Sequence, residues 1–244
     1  MRRFAADLHI HSALSPCGAK EMTPPVIVAA ALRKGLAMIA LCDHNSCGNA
    51  AAVQEAAGRD LAVIAGIEIT TAEEVHVLGL FPGVEQAQRV SKVVSAGLPE
   101  WRTAPGPFGG QWLMDAEGKV TGEETKMLSV ASSLTLSEAV QLIKRQGGLA
   151  VASHVDRPSF SVLSQLGMFP PDAEFDAVEI SAAGQKAGRR AEFASLGFTV
   201  ISSSDSHFPE EIGSSFTILE MQAPRFGELS LALKGAGGRR VCDA

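Results

Sequence analysis

An α/β barrel is the fold this sequence predicts, and three observations predict it. Short apolar, strand-like runs alternate with helical segments along most of the 244 residues, the pattern of a parallel sheet covered by helices. Seven or eight such runs in one domain-sized chain favour a closed barrel over an open sheet, and barrels of this kind use about 250 residues. All six histidines fall within or just after the strand-like runs, and in a barrel the carboxyl ends of the strands carry the working residues.

The elements can be justified in order. Phe4 to His11 is the first strand-like run. Thr23-Pro24-Pro25 opens a helix to about Lys34: Thr23 suits the N-cap, Pro24 the first helical position and Gly35 the C-cap. Ala37 to Leu41 reads as a buried strand, Asn49 to Ala57 as a helix closed by Gly58, and Leu61 to Ile69 and Val75 to Phe81 as strands. Residues 84–97 look helical.

From 97 to 133 the pattern weakens, with Pro99, Pro105, Gly106, Pro107, Gly109 and Gly110 crowded together. The alternation resumes afterwards, so this stretch reads as an insertion or lid within one domain spanning 1–244. Trp101, Phe108 and Trp112 lie where a lid could touch substrate. Thr135 to Glu138 forms a capping-box signature for a helix to about Gln146, ended by Gly147-Gly148. Strand-like runs at Leu149–Ser153, Ala177–Ile180, Phe198–Ser202 and Ser215–Leu219, with helices over 188–196 and 226–234, complete the chain.

Composition narrows the function. With 21 basic against 27 acidic residues, a net −6, the chain is not one that coats nucleic acid through a basic surface. Nucleic acid as a substrate held by bound metal stays open. No apolar run reaches the ~18–20 residues that span a bilayer, and Met1 to Ile10 meets Asp7 and His9 before any signal-type stretch. A cytoplasmic location without membrane association is expected. Cys17, Cys42, Cys47 and Cys242 are too few for a disulfide framework. Tyrosine is absent and tryptophan limited to Trp101 and Trp112, so an exposed aromatic platform for stacking bases is not expected, although Phe can supply one or two contacts.

The histidines carry the chemistry. His9, His11, His44, His76, His154 and His207 are accompanied by Asp7, Asp43, Glu68 and Asp205. Residues i and i+2 of a strand point to the same side, so the imidazoles of His9-x-His11 can share one metal ion. Asp205-x-His207 repeats the arrangement where its backbone is extended. Imidazole with carboxylate suits zinc, manganese or iron. So many ligand-type groups on one face would repel one another, or need burial partners, without a cation.

Five motifs in fixed order resemble the PHP (polymerase and histidinol phosphatase) family: Asp7-Leu8-His9-Ile10-His11-Ser12, Cys42-Asp43-His44-Asn45, Gly66-Ile67-Glu68-Ile69, Ser153-His154-Val155-Asp156-Arg157-Pro158 and Ser204-Asp205-Ser206-His207. The resemblance implies a distorted (β/α)7 barrel with two or three divalent metal ions (Mn, Zn or Fe) at the strand carboxyl ends. Carried over motif by motif, His9, His11, Glu68 and Asp205 would hold one ion. Glu68 would bridge to a second, completed by His76 and His154, and His44 and His207 would hold a third. Asp43 would orient His44 or a water rather than ligate.

One departure stands out. Where the family supplies another His or Asp after His-x-His, this loop reads Ser15-Pro16-Cys17-Gly18-Ala19-Lys20-Glu21. Cys17 or Glu21 can stand in. A Cys17 thiolate would favour zinc and Glu21 a harder ion such as manganese; Glu21 is the preferred reading.

The implied reaction is hydrolysis of a phosphate ester by a metal-activated hydroxide, on a small phosphomonoester, a nucleotide or an oligonucleotide end, with no obligate protein partner. Asp43, His207 and Arg157 are the expected catalytic residues. Arg157 would also clamp phosphate oxygens, and Lys20 could reach substrate. One alternative is an amidohydrolase-like hydrolase of C–N or C–O bonds. That superfamily often uses a metal-bridging lysine at a strand end, whereas the eight lysines here lie in loops or predicted helices. A non-catalytic metal-binding module is the other.

Overall fold

The computed structural model describes residues 1–100 and 110–242. The chain begins with β1 (Arg2–Ile10), α1 (Pro24–Arg33), β2 (Met38–Leu41), α2 (Ala50–Ala57), β3 (Ala62–Thr70), β4 (His76–Phe81) and α3 (Val84–Ala96). A hairpin of β5 (Trp112–Met114) and β6 (Val120–Glu123) precedes α4 (Leu136–Arg145), β7 (Leu149–Ala152), α5 (Val162–Leu166), β8 (Ala177–Ile180), α6 (Ala182–Lys186) and α7 (Arg190–Ala194). The chain then continues through β9 (Val200–Ser202), β10 (Thr217–Met221), α8 (Phe226–Leu233) and β11 (Arg240–Cys242).

Local chemistry explains the boundaries. Thr23 is extended and Pro24 opens α1, while Gly35 takes the left-handed φ of +71° that ends it. At α4 the capping box is complete: Thr135 accepts from the Glu138 N–H and Glu138 accepts from the Thr135 N–H. The elements the pattern did not foretell are short. α5 and α6 have five residues each and β11 has three, below the length at which a helical or strand period can be read.

Nine strands make one sheet in the order β11-β10-β1-β2-β3-β4-β7-β8-β9. A parallel bridge between Ile10 and Ser206, with the His11 N–H donating to the Ser206 carbonyl at 3.0 Å, brings the segment after β9 back to β1. The seven strands from β1 to β9 therefore curl into a nearly closed barrel, and β10 and β11 extend from β1 as antiparallel additions.

The all-parallel expectation needs one correction: β4 runs antiparallel to both β3 and β7. Only residues 71–75 separate β3 from β4, room for a hairpin but not for the crossover of a dozen or more residues that a parallel pair requires. The reversal places the start of β4, at His76, on the face where the parallel strands end.

Two apolar clusters build the molecule. One lies between the strands and the surrounding helices, with Ile39, Leu41, Ile67, Val77 and Val178 against Ile27, Val53, Val90 and Ile143. The other fills the barrel: Leu8, Met38, Ile64, Leu80, Val151, Ala177 and Ile201 each come from a different one of the seven strands, and Leu229 and Leu233 of α8 join them. In β1 the register slips between Asp7 and Ile10. Leu8 belongs to the inner cluster and Ile10 to the outer one.

The β5–β6 hairpin docks on the loop after β1, the Trp112 N–H donating to the Ala13 carbonyl at 3.0 Å, and on the start of α2, the Met114 N–H donating to Asn49 Oδ1 at 2.9 Å. Trp101 and Phe108, read as lid residues, lie outside the described residues. Among the described residues no helix is long and apolar enough to cross a membrane.

Candidate metal centre

Six imidazoles close into a circuit at one end of the barrel. In the order His9, His11, His207, His44, His76, His154 and back to His9, neighbouring ring centroids lie 4.2–6.1 Å apart. Glu68, fully buried on β3, is enclosed by them. His44 Nδ1 and His76 Nδ1 each lie 3.0 Å from a Glu68 oxygen, His9 and His154 3.3 Å, and His11 3.5 Å. Yet neither Glu68 oxygen accepts an aligned hydrogen bond, and the Nδ1 of His76 that faces them lacks one too. Buried polar atoms of a native protein are nearly always paired, so unpaired groups gathered at one point fit a cation.

Three of the rings show how their nitrogens are oriented. His9 Nδ1 donates to Glu179 on β8 at 3.0 Å. His207 Nδ1 donates to the Asp205 carbonyl at 2.9 Å. His11 Nδ1 lies 2.9 Å from Ser15 Oγ. That hydroxyl spends its proton on Asp43 Oδ1 at 2.7 Å, so His11 must donate to it. Each ring is thus tied outward through Nδ1–H and presents Nε2 inward, the arrangement in which an outer acceptor fixes a metal-binding imidazole.

The inner nitrogens of His9 and His11 then stand only 3.1 Å apart. Two lone pairs at that distance need a proton or a cation between them. Burial opposes charge on His9, but Glu179, Asp205 and Glu68 together hold its pKa well above the ordinary range. Burial and the neighbouring His207 and His44 keep His11 neutral, its pKa well below the ordinary range. Burial likewise opposes charge on Glu68, and His76, His9 and His44 overcome it, so its pKa lies well below the usual carboxylate value. The donor set fits divalent metal, which would replace the proton on His9.

The donors fall into three overlapping groups, in each of which the ligand atoms lie within 4.8 Å of one another: His9, His11, Glu68 and Asp205; His44, Glu68 and His76; and His11, His44 and His207. His154 approaches through Glu68. Cys17 lines a cavity with His207; burial opposes its ionisation, and the neighbouring His207 and His44 bring its thiol down to about 6. Glu21, the preferred stand-in, is exposed, as is Cys17. Turns closed by Gly18 N–H to Ser15, Ala19 N–H to His207 and Met22 N–H to Ala19 lay the Cys17 segment against His207 before Glu21 is reached.

Asp43 is buried beside this loop. Its carboxylate accepts from the Ser12 N–H, Ser12 Oγ and Ser15 Oγ, all at 2.7 Å. It therefore orients His11 through Ser15, whose hydroxyl also accepts the His44 N–H at 3.1 Å. The same device recurs twice. Asp7 accepts from the Ser204 N–H and Oγ at 3.0 and 2.6 Å, and Asp156 from the Ser181 N–H and Oγ at 2.7 and 2.6 Å. Each aspartate clamps the loop at the end of another strand. A Cβ on Gly184 would collide with the Asp156 carboxylate, so that clamp requires glycine. Burial pushes the Asp7 carboxyl up to about 6 despite its bonds from Ser204 and Gly213.

Arg157 Nη1 meets Asp205 Oδ2 at 2.6 Å, and both side chains line a cavity of about 510 Å³ with Cys17, His207, Phe208 and Glu211. Lys20 is exposed in the loop that carries Cys17. Glu179 is the residue that motif reading missed. Its only signal was an acidic residue inside the apolar run Ala177–Ile180, which a buried strand tolerates only with a partner.

The chain is 24% identical over 237 residues to the 5′-3′ exoribonuclease Rnm of Escherichia coli, covering 78% of this chain and 79% of that protein. Among solved structures it superposes on the lesion-specific endonuclease PfuEndoQ of Pyrococcus furiosus with TM-score 0.73 at 21% identity, over 98% of this chain but only 58% of that one. It superposes on an amidohydrolase of Chromobacterium violaceum with TM-score 0.61 at 22% identity, over 93% and 96% of the two chains. The sequence model of the PHP domain matches residues 7–165, from β1 through α5. The match includes every ring histidine except His207, which the fold returns to the circuit beside Asp205. The chain belongs to the PHP domain family.

Proposed function

We propose that this chain is a metal-dependent phosphoesterase that hydrolyses a phosphate ester of a nucleotide or nucleic-acid end. The observation that carries the reading is the imidazole circuit around a buried carboxylate with no hydrogen-bond donor. His9, His11, Glu68 and Asp205 would hold one ion; Glu68, with His44, His76 and His154, a second; His44 and His207, with Cys17, a third. Bound divalent ions supply a water acidic enough to attack near neutral pH and neutralise charge on phosphate oxygens.

The chain's own residues do the positioning. Glu179 and Ser15 hold His9 and His11 with Nε2 facing inward. Asp205 anchors one guanidinium nitrogen of Arg157; the other N–H groups can grip two oxygens of a phosphate in the adjoining cavity. The names of Rnm and PfuEndoQ support nucleic acid as the substrate class.

The test is phosphate release and chain cleavage by manganese- or zinc-loaded protein. It should be run across phosphomonoesters, nucleotides with a 3′ phosphate and short oligonucleotides, with Glu68→Gln as control. Turnover that disappears in the control is the expected result. Full metal loading with no turnover on any phosphate ester would overturn the reading.

A further inference from the structure

Two large aromatic side chains are exposed among the described residues, Phe160 at 41% and Phe208 at 45%. Both stand at the rim of the metal centre. The Phe160 ring stacks on His76, centroids 4.7 Å apart and planes 22° apart, and its carbonyl accepts the His76 N–H at 2.9 Å. Its φ of +54° is a left-handed conformation that a bulky residue adopts only where its surroundings impose it. Phe208 follows His207 and lines the cavity that holds Arg157. The N–H groups of His207 and Phe208 both donate to Glu211 Oε2, at 2.9 and 3.2 Å, which fixes that turn. His44 separates the two sites, its ring 5.3 Å from His76 and 5.9 Å from His207.

Single exposed apolar side chains are ordinary. Here a chain with no tyrosine and two tryptophans places both of its exposed, described aromatics on either side of one metal-binding circuit. A planar, π-faced ligand such as a nucleobase stacks on such surfaces. Phe208 beside the Arg157 cavity and Phe160 on the His76 side of the centre match a phosphate carrying a base on each side. A duplex keeps its bases stacked on one another, so the match is to a single strand. The net charge of −6, with Arg157 the basic residue lining this cavity, suits a grip on one or two phosphates rather than a long track.

Building on the phosphoesterase reading, we infer that Phe160 and Phe208 stack the two bases flanking the phosphate at the centre. The unit recognised is then a single-stranded dinucleotide step.

The test titrates metal-loaded protein into dinucleotides carrying 2-aminopurine at the 5′ or the 3′ position. Fluorescence is followed by stopped flow before turnover, and cleavage of the same dinucleotides afterwards. Stacking quenches 2-aminopurine. Phe160→Leu should weaken binding about tenfold and relieve the quenching of one position; Phe208→Leu should do so for the other. Phe→Trp at either site should keep both, and metal stoichiometry should hold in all four variants. Binding within twofold of the parent in both Leu variants, or both acting on the same base, would overturn the two-base assignment. Position-specific quenching with no cleavage would support the stacking and overturn the hydrolase reading. Cleavage unchanged in both Leu variants would do the reverse.

Discussion

The two ends of the barrel are built on opposite terms. At one end, imidazoles and carboxylates crowd together with unpaired oxygens and nitrogens, and Asn45, His154, Phe160 and Asp205 hold positive φ angles. At the other, Leu80, Leu149 and Met38 pack with Leu229 and Leu233 of α8. The polar groups there are matched: Glu228 accepts from two Arg239 nitrogens at 3.0 Å and from the Gln222 N–H at 2.8 Å. Phe226, at the start of α8, shares a cavity with Leu61 and Ala62 at the amino end of β3, which places α8 away from the histidines. The contrast teaches that the apolar end carries stability for an end that would not hold itself together without a cation. Strain and unpaired groups of this kind persist only where the rest of the structure over-determines them.

The comparison can be broken most directly at Glu68. Glu68→Gln should reduce turnover to background and lose at least one metal, measured by elemental analysis, while the protein stays folded because the apolar end is untouched. A variant with full metal and full turnover would show that the carboxylate is structural. Leu80→Ala is the converse. Truncating a fully buried leucine should cost about 2–5 kcal/mol by denaturant unfolding and leave metal stoichiometry unchanged; metal loss in the folded variant would mean that the two ends are coupled.

Glu179→Gln sharpens the boundary between them. Removing the charge that holds His9 should weaken metal binding by about 10–100-fold. The pH at which metal is lost should also move, since the carboxylate sets how readily His9 gives up its proton. A change in melting temperature with metal affinity and its pH dependence intact would reduce Glu179 to a packing residue.

The smallest effect belongs to Glu228. Arg239 and the Gln222 N–H hold its carboxyl at about 2, below the ordinary glutamate value of 4.5. Its ionised form is therefore favoured in the folded state. That contribution is fully present above pH 4.5 and is lost as pH falls towards 2. The melting temperatures of the parent and Glu228→Gln should differ most above pH 4.5 and converge in acid. A gap that widens on acidification would contradict the assignment.

Much of the active end was legible in the sequence because its signals are local. His9-x-His11 sits on one strand, Asp205 and His207 are two residues apart, and each remaining histidine closes or opens an apolar run that reads as a strand. The capping box at Thr135 and the glycine after α1 are equally local. What was missed depends on contacts between distant strands. The partner of Glu179 is 170 residues away, and that of Asp43 lies in the loop after a different strand. Neither spacing nor periodicity reports such a pair.

The sequence by itself determined the alternation of elements, the barrel class and the roster of metal-type ligands, since hydrophobic period and residue chemistry are properties of the chain alone. Only the tertiary structure decided that β4 runs backwards, that the Cys17 segment lies against His207, and that Phe160 and Phe208 face outward at their rim. The physical reason is the same in each case. Closing the ring fixes which loop ends meet and which side chains are left facing water, and a five-residue hairpin or a tight turn after Ser15 settles the matter through backbone geometry.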